Sequence, residues 1–75
     1  MVTGNDIRIL EFIDHNPNCT VFDISVVLKL SVDFVTKSCN KLQTKELIGS
    51  NLLDKDPSYI TYEEGEELLY YLADI

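Results

Sequence analysis

Hydrophobic residues recur at helical spacing in the first stretch of the chain. They occupy positions 7, 9, 10, 12 and 13, and the pattern stops before the Asn-Pro-Asn sequence at 16–18, which is typical of a turn. We therefore predict a first helix from Asp6 to His15. Thr3 or Asn5 is suited to cap its start.

A second, short helix is predicted from the residues that follow this turn. Thr20 is a good N-cap, and Asp23 lies at the position that completes a capping box. Ile24, Val27 and Leu28 then form one apolar face at i, i+3 and i+4.

A third helix is predicted after a very short turn. Ser31 can cap it, and Val35, Cys39 and Leu42 repeat at i, i+4 and i+7 until about Lys45. Two helices joined this closely are typical of a helix-turn-helix.

The remaining pattern predicts a β-hairpin followed by a helix. The segments 47–50 and 59–62 are rich in β-forming residues, and they flank turn formers at 54–57. Four glutamates at 63, 64, 66 and 67 suit the positive end of a helix dipole, and apolar residues follow them: Leu68, Leu69, Tyr71, Leu72 and Ile75. The expected fold is mainly α with a small hairpin.

Length and composition predict one globular domain over residues 1–75. The chain is 45% hydrophobic and 25% charged, which allows a packed core in a protein of this size. No apolar run approaches the roughly 20 residues that cross a bilayer, and the first residues lack the features of a secretory signal. We expect a cytoplasmic protein with no membrane contact.

Charge is distributed unevenly along the chain. The formal net charge is −7, which opposes binding to nucleic acid if it is spread over the whole surface. Residues 29–55, however, contain five of the six basic residues against three acids, a local net charge of +2. This segment includes the predicted third helix.

The segment ISVVLKLSVDFVTKSCNKLQTKELI, residues 24–48, resembles the helix-turn-helix of bacterial and archaeal winged-helix regulators of the MarR, ArsR and Lrp type. YITYEEGEELL, residues 59–69, is similar to the passage from wing to last helix in these families. Three positions depart from their pattern: Lys29 and Glu46 replace glycines, and Tyr62 replaces a threonine. Lys29 must then adopt a positive φ, or the turn must differ.

The resemblance implies a winged helix-turn-helix with three helices, a two-stranded wing and a C-terminal helix. It also implies a transcription regulator that places its third helix, about 31–45, in the major groove of double-stranded DNA. The candidate DNA-binding residues on that helix are Thr36, Lys37, Asn40, Lys41 and Lys45. The alternative for these side chains is an ordinary solvated helix face.

The alternative hypothesis is that the protein is an acidic winged-helix module that binds a protein, or mimics DNA, and binds no DNA itself. Phe22, Val26 and Phe34 are apolar where the families usually have polar residues, so they are candidates for a protein-binding surface. The alternative is that helix 1 or the termini cover them. Lys55 lies between Asp54 and Asp56, which makes a wing contact with DNA doubtful.

A regulator of this size is expected to work as a homodimer, because one unit buries too little surface to discriminate an operator. The first helix and the C-terminal helix are the candidate dimerisation elements. The sequence indicates no enzyme, cofactor or metal site. The single His15 and two cysteines, Cys19 and Cys39, lack the spacing of a zinc site or catalytic pair, and we expect Cys39 to be a buried thiol.

Overall fold

Three helices precede a small antiparallel sheet and a fourth helix follows it in the computed structural model, which describes residues 2–51 and 57–73. The described elements, in chain order, are α1 Gly4–His15, β1 Cys19–Thr20, α2 Val21–Leu28, α3 Val32–Thr44, β2 Ile48–Asn51, β3 Ser58–Thr61 and α4 Glu63–Ala73. The predicted mainly helical winged helix-turn-helix is confirmed. Asp54, Lys55 and Asp56, predicted in the wing turn, and Ile75, predicted in the last helix, lie outside the described residues.

Each of the first three helices begins at a side-chain cap. Thr3 caps α1 and Thr20 caps α2, and each is completed into a capping box by the aspartate three residues later. Ser31 caps α3 by accepting a hydrogen bond from the backbone N–H of Phe34 at 3.1 Å. The two caps predicted for the helix-turn-helix are confirmed, and of the two candidates for α1 the cap is Thr3.

The turn between α2 and α3 requires a left-handed residue. Lys29 ends α2 with φ 57° and ψ 43°. It stands where the families that the sequence resembles have glycine. Glu46 also has a positive φ, 59°, between α3 and β2. A lysine or glutamate in this region costs about 1 kcal/mol relative to the right-handed region. Both residues therefore keep the turn geometry of a glycine at some cost in stability.

The sheet contains one strand more than the predicted hairpin. β2 and β3 pair antiparallel, with Gly49 opposite Ile60, and β1 pairs with the other edge of β3, with Cys19 opposite Tyr59. The strand order is β1-β3-β2. A two-residue strand has no periodicity of its own, which is why the sequence did not predict β1.

The core lies between the three N-terminal helices and the sheet. Each of these helices contributes side chains that are completely buried: Ile9, Leu10, Ile13, Ile24, Val35, Cys39 and Leu42. Ile48 and Tyr59 close the core from the sheet. None of the described helices is both long and apolar enough to span a membrane.

The fourth helix approaches the sheet closely at a glycine. Gly65 is buried, and a Cβ at this position would overlap the backbone carbonyl oxygen of Leu47. That carbonyl also accepts a hydrogen bond from the backbone N–H of Tyr62 at 3.0 Å. Leu68 and Leu69 then pack against the core. The start of α4 is thus fixed against the residue that precedes β2.

Candidate nucleic-acid interface

One face of α3 is buried and the opposite face is exposed. Val35, Cys39 and Leu42 point into the core, as their spacing predicted. The opposite side of the helix carries four exposed polar side chains at i, i+4, i+7 and i+11, which we call the outward stripe: Asp33, Lys37, Asn40 and Thr44. A helix of this length, about 20 Å, offers enough surface to occupy a groove of double-stranded DNA.

Two of the predicted site residues lie in the outward stripe. Lys37 and Asn40 are exposed, and within the described residues Lys37 makes no salt bridge. Asp33, one turn before Lys37, places a negative charge in the first turn of α3, where it suits the helix dipole. The stripe therefore combines an amide, an ammonium and a carboxylate.

Thr36 directly precedes Lys37 of the stripe, and Lys45 directly follows Thr44, the last residue of the stripe. Thr36 is half-buried, and its hydroxyl donates a hydrogen bond to the backbone carbonyl of Val32 at 2.8 Å. This leaves the methyl group and a hydroxyl lone pair available to a ligand. Lys45 is the exposed C-cap of α3, where its charge also suits the helix dipole.

Lys41, the remaining predicted DNA-binding residue, lies on the edge of α3 that faces α1. Its ammonium contacts the Asp6 carboxylate at 2.7 Å. The Lys41 side chain is 36% exposed, whereas that of Asp6 is only 2% exposed. Lys41 is thus engaged inside the protein, in contrast to Lys37.

The Asp6 carboxylate is buried among hydrogen-bond donors from two helices. Oδ1 accepts a bond from the Ser38 hydroxyl, and Oδ2 accepts bonds from Lys41, from the Thr3 backbone N–H at 2.8 Å and from the Thr3 hydroxyl at 3.0 Å. Burial acts to raise the pKa of Asp6, but the bonds from Lys41, Ser38 and Thr3 outweigh it and hold the pKa well below its usual range. Asp6 is therefore ionised in the folded protein.

The other edge of α3 is joined to the sheet. The Gln43 side-chain amide donates a hydrogen bond to the Ser50 hydroxyl in β2 at 2.8 Å. α3 is thus held by side-chain hydrogen bonds towards α1 on one edge and towards the sheet on the other.

The three apolar side chains suggested as a protein-binding surface are at least partly exposed. The exposed fractions are 51% for Phe22, 77% for Val26 and 39% for Phe34. Phe22 and Val26 lie on the outer face of α2. Val27, which the spacing grouped with Ile24 and Leu28, is 59% exposed, so the prediction that it joins the apolar face of Ile24 was wrong. Phe34 instead lies beside a shallow depression that Asp6, Lys37, Ser38 and Lys41 also line. The described residues therefore leave part of each of these side chains exposed.

The cysteines belong to the core. Both are free thiols; burial raises the pKa of Cys19 to about 11 and that of Cys39 to about 12. The predicted buried thiol at Cys39 is confirmed. His15 is exposed in the last turn of α1, and its ring Nδ1 lies 3.0 Å from the Glu11 carbonyl oxygen. Among the described residues, no cluster of histidine, cysteine or acidic side chains could hold a metal ion.

Sequence reasoning missed Asp6 as a partner of α3. The sequence does contain the signal for a capping box at Asp6, since Thr3 and Asp6 repeat the Thr-x-x-Asp spacing of Thr20 and Asp23. This spacing does not indicate that Asp6 is buried, with 1% of its surface exposed, whereas Asp23 is exposed. The pairing with Lys41 joins residues 35 positions apart and depends on how α1 packs on α3.

Comparison with known protein families gives a match over most of the chain. The model described as the MarR family matches residues 2–55. No curated protein matches the sequence.

Solved structures match the fold closely at low sequence identity. FabT of Streptococcus pneumoniae in complex with DNA has a TM-score of 0.86 at 18% identity, with 97% of this chain and 53% of FabT covered. A point mutant of S. aureus MepR bound to an oligodeoxyribonucleotide has a TM-score of 0.87 at 18% identity, with 96% and 56% covered. A MarR-family protein from Bacillus stearothermophilus has a TM-score of 0.87 at 15% identity, with 97% and 52% covered. The chain spans about half the length of these proteins.

Proposed function

The chain belongs to the MarR family, and on this premise we propose that it is the DNA-binding part of a transcription regulator with α3 as its recognition helix. The observation that carries the proposal is the outward stripe of α3, which presents Lys37 and Asn40 to solvent on a helix held at both edges. Two structures with the same fold contain DNA, FabT and MepR. Such a function places the protein in the cytoplasm.

Three residues of the outward stripe have a defined chemical match in the major groove. The Asn40 amide can donate to and accept from an adenine edge, and the Lys37 ammonium can donate to guanine or to phosphate. The Asp33 carboxylate can accept a bond from the cytosine amino group but repels phosphate. Asp33 therefore restricts how the first turn of α3 enters the groove.

Residues beside the stripe are suited to backbone contacts. Lys45, at the C-terminal end of α3, and Lys29, in the turn before it, are both exposed. The Thr36 methyl group can contact a thymine methyl, and its hydroxyl oxygen can accept a bond. Contacts to phosphate set the register on the duplex, whereas contacts to base edges set the sequence preference.

The acidic body limits the strength of general DNA binding. With a net charge of −7, the protein depends on a few local lysines to approach phosphate. Three phosphate contacts per domain imply a loss of roughly 40-fold in affinity between 50 and 200 mM salt. We expect weak affinity for mixed DNA and a marked dependence on salt.

Binding to a fluorescein-labelled duplex of mixed sequence, followed by anisotropy between 50 and 200 mM salt, tests the proposal. Wild-type protein is expected to bind at low salt, and Lys37→Met is expected to make the slope of log affinity against log salt shallower by about 0.9. Asn40→Ala is expected to leave that slope unchanged and to relax the preference at one base of a selected sequence by about 1–3 kcal/mol.

Glu67→Gln is a suitable control, because Glu67 is an exposed acid on α4, away from the outward stripe. It should leave the slope within error of wild type. Absence of wild-type binding even at 50 mM salt contradicts the proposal. Equal slopes for wild type and Lys37→Met contradict the assignment of Lys37.

We also propose that the protein acts as a homodimer through α1, α4 or both. Tyr70 and Tyr71 on α4 are 76% and 67% exposed, which is unusual for large aromatic side chains without a partner. A two-fold dimer would present two copies of α3 to half-sites about 34 Å apart.

A second role is favoured by the apolar outer face of α2. Phe22 and Val26 are exposed there, and we propose that, together with Phe34, they contact a protein partner. Family membership does not favour this role in place of DNA binding; the two surfaces can operate in one protein.

Sedimentation velocity separates these two surfaces. Wild-type protein is expected to sediment as a dimer, Tyr71→Asp as a monomer and Val26→Ser as a dimer, because only the first substitution places a charge on α4. Dissociation by Val26→Ser with no effect of Tyr71→Asp would assign self-association to α2 and contradict the α4 proposal. A wild-type monomer would contradict the dimer.

A further inference from the structure

Two capping boxes in this protein have the same local design but different surroundings. In α1 the Thr3 N–H donates to Asp6, and in α2 the Thr20 N–H donates to Asp23 at 3.0 Å. Asp23 is exposed, whereas Asp6 is 1% exposed and reaches α3. Capping α1 therefore does not explain why Asp6 is buried, since Asp23 caps α2 from the surface.

The contacts of Asp6 with α3 are one helical turn apart. Ser38 and Lys41, at i and i+3, lie on the same edge of α3 and bond to the two different oxygens of one carboxylate. Rotation of α3 about its axis, or sliding along it, would lengthen at least one of these bonds. The Gln43–Ser50 hydrogen bond resists the same movements at the opposite edge.

The pair also determines where the Lys41 charge lies. Lys41 follows Asn40 directly and is one turn beyond Lys37, so its long side chain starts next to the outward stripe. Transfer of its ammonium to a phosphate would leave the Asp6 carboxylate buried without its cation, which is strongly unfavourable. The remaining donors, Thr3 and Ser38, are neutral.

We propose that Asp6 is a positioning residue for the recognition helix: it fixes the rotation of α3 through Ser38 and Lys41, and it keeps the Lys41 charge away from DNA phosphate. The DNA-contacting part of α3 is then the outward stripe with its neighbours Thr36 and Lys45. This inference rests on the proposed function, because it specifies which lysines of α3 contact DNA.

The test compares the salt dependence of mixed-duplex binding for two matched pairs of variants. Lys41→Met and Lys37→Met each remove one ammonium from α3 one turn apart. Lys41→Met is expected to keep the wild-type slope of log affinity against log salt. For Lys37→Met this slope is expected to be shallower by about 0.9. A purely structural effect of either substitution would change affinity without this difference in slope.

Asp6→Asn and Asp23→Asn each remove one negative charge from the same position of a capping box. Asp6→Asn is expected to release Lys41 to phosphate and steepen the slope by about 0.9, an additional loss of about 3.5-fold in affinity between 50 and 200 mM salt. Asp23→Asn is expected to keep the wild-type slope, because Asp23 has no lysine partner among the described residues.

The double variant Asp6→Asn/Lys41→Met covers the case in which a single variant fails to fold. It removes the charges of Asp6 and Lys41 together, and replacing both partners of a buried ion pair by uncharged residues is often tolerated. We expect it to fold, as followed by circular dichroism, and to bind with the wild-type slope.

A shallower slope for Lys41→Met or for the double variant would show that Lys41 contacts phosphate, which overturns this inference and leaves the proposed function intact. An unchanged slope for folded Asp6→Asn would likewise contradict the proposal that Asp6 keeps Lys41 away from phosphate. If wild-type protein shows no salt-dependent binding, the proposed function itself is wrong, and the inference about Asp6 is then wrong as well.

Discussion

Replacing Gly65 by alanine is expected to lower the free energy of unfolding by about 3 kcal/mol, the upper end of the usual range for overpacking. Intrinsic helix propensity predicts the opposite sign, since alanine is more favourable than glycine inside a helix by about 1 kcal/mol. The close approach decides the outcome, because a Cβ at Gly65 would overlap the Leu47 carbonyl oxygen and lie near the Thr61 methyl group. Both obstacles belong to the segments that fix α4 on the sheet.

Gly4→Ala is the matched control, because Gly4 is also helical and nothing lies within 4 Å of its added Cβ. This control should be neutral or slightly stabilising. Urea unfolding of both variants, followed by circular dichroism, measures the two changes. A stabilised Gly65→Ala protein would show that α4 does not dock at this position.

The second large effect concerns the buried charge of Asp6. Asp6→Asn is expected to destabilise the protein at pH 7 by about 3 kcal/mol, as for other broken buried ion pairs. The folded state holds the pKa of Asp6 below its usual value, so the stabilisation is complete above the unfolded pKa of about 4 and is lost as pH falls towards the folded pKa. The difference between wild type and variant should therefore narrow steadily below pH 4.

Urea midpoints at pH 7, 4 and 2.5 measure this narrowing. Asp23→Asn serves as the control, because it changes the same capping position at an exposed site. Its effect should stay within about 1 kcal/mol, the size of a capping contribution. A gap between wild type and Asp6→Asn that stays constant down to pH 2.5 would contradict the ionised, buried state of Asp6.

Local chemistry accounts for the parts of the fold that could be predicted. The hydroxyls of Thr20 and Ser31 cap the two helices of the helix-turn-helix, and these contacts span three residues, so their signals are contained in short sequence windows. The left-handed turn at Lys29 could also be foreseen, since Ser31, the N-cap of α3, is only two residues later and the related families have glycine at position 29.

Contacts between distant residues account for what could not be predicted. β1 is a strand because Cys19 pairs with Tyr59 and Thr20 with Ser58, 40 and 38 residues later. In the same way, Lys41 resembled any other exposed lysine of α3 until the packing of α1 placed Asp6 beside it. Periodicity placed Lys41 near the outer half of the helix, and only tertiary structure separates it from Lys37.

The family resemblance predicted the winged-helix architecture, and the structure shows which residues of α3 are exposed together on one side of the helix. The outward stripe contains the predicted Lys37 and Asn40, with Asp33 and Thr44 on the same exposed side of α3. Phe34 lies outside the stripe and lines the same depression as Asp6 and Lys41.

Nuclear magnetic resonance can show whether α3 binds DNA with its outward stripe, as we propose. Titration of a short mixed duplex into ¹⁵N-labelled protein at low salt is expected to shift the amide signals of Asp33, Lys37, Asn40 and Thr44 most strongly, with little change along α4. Shifts concentrated on α4 or on the outer face of α2, or no shifts at any DNA concentration, would contradict the claim.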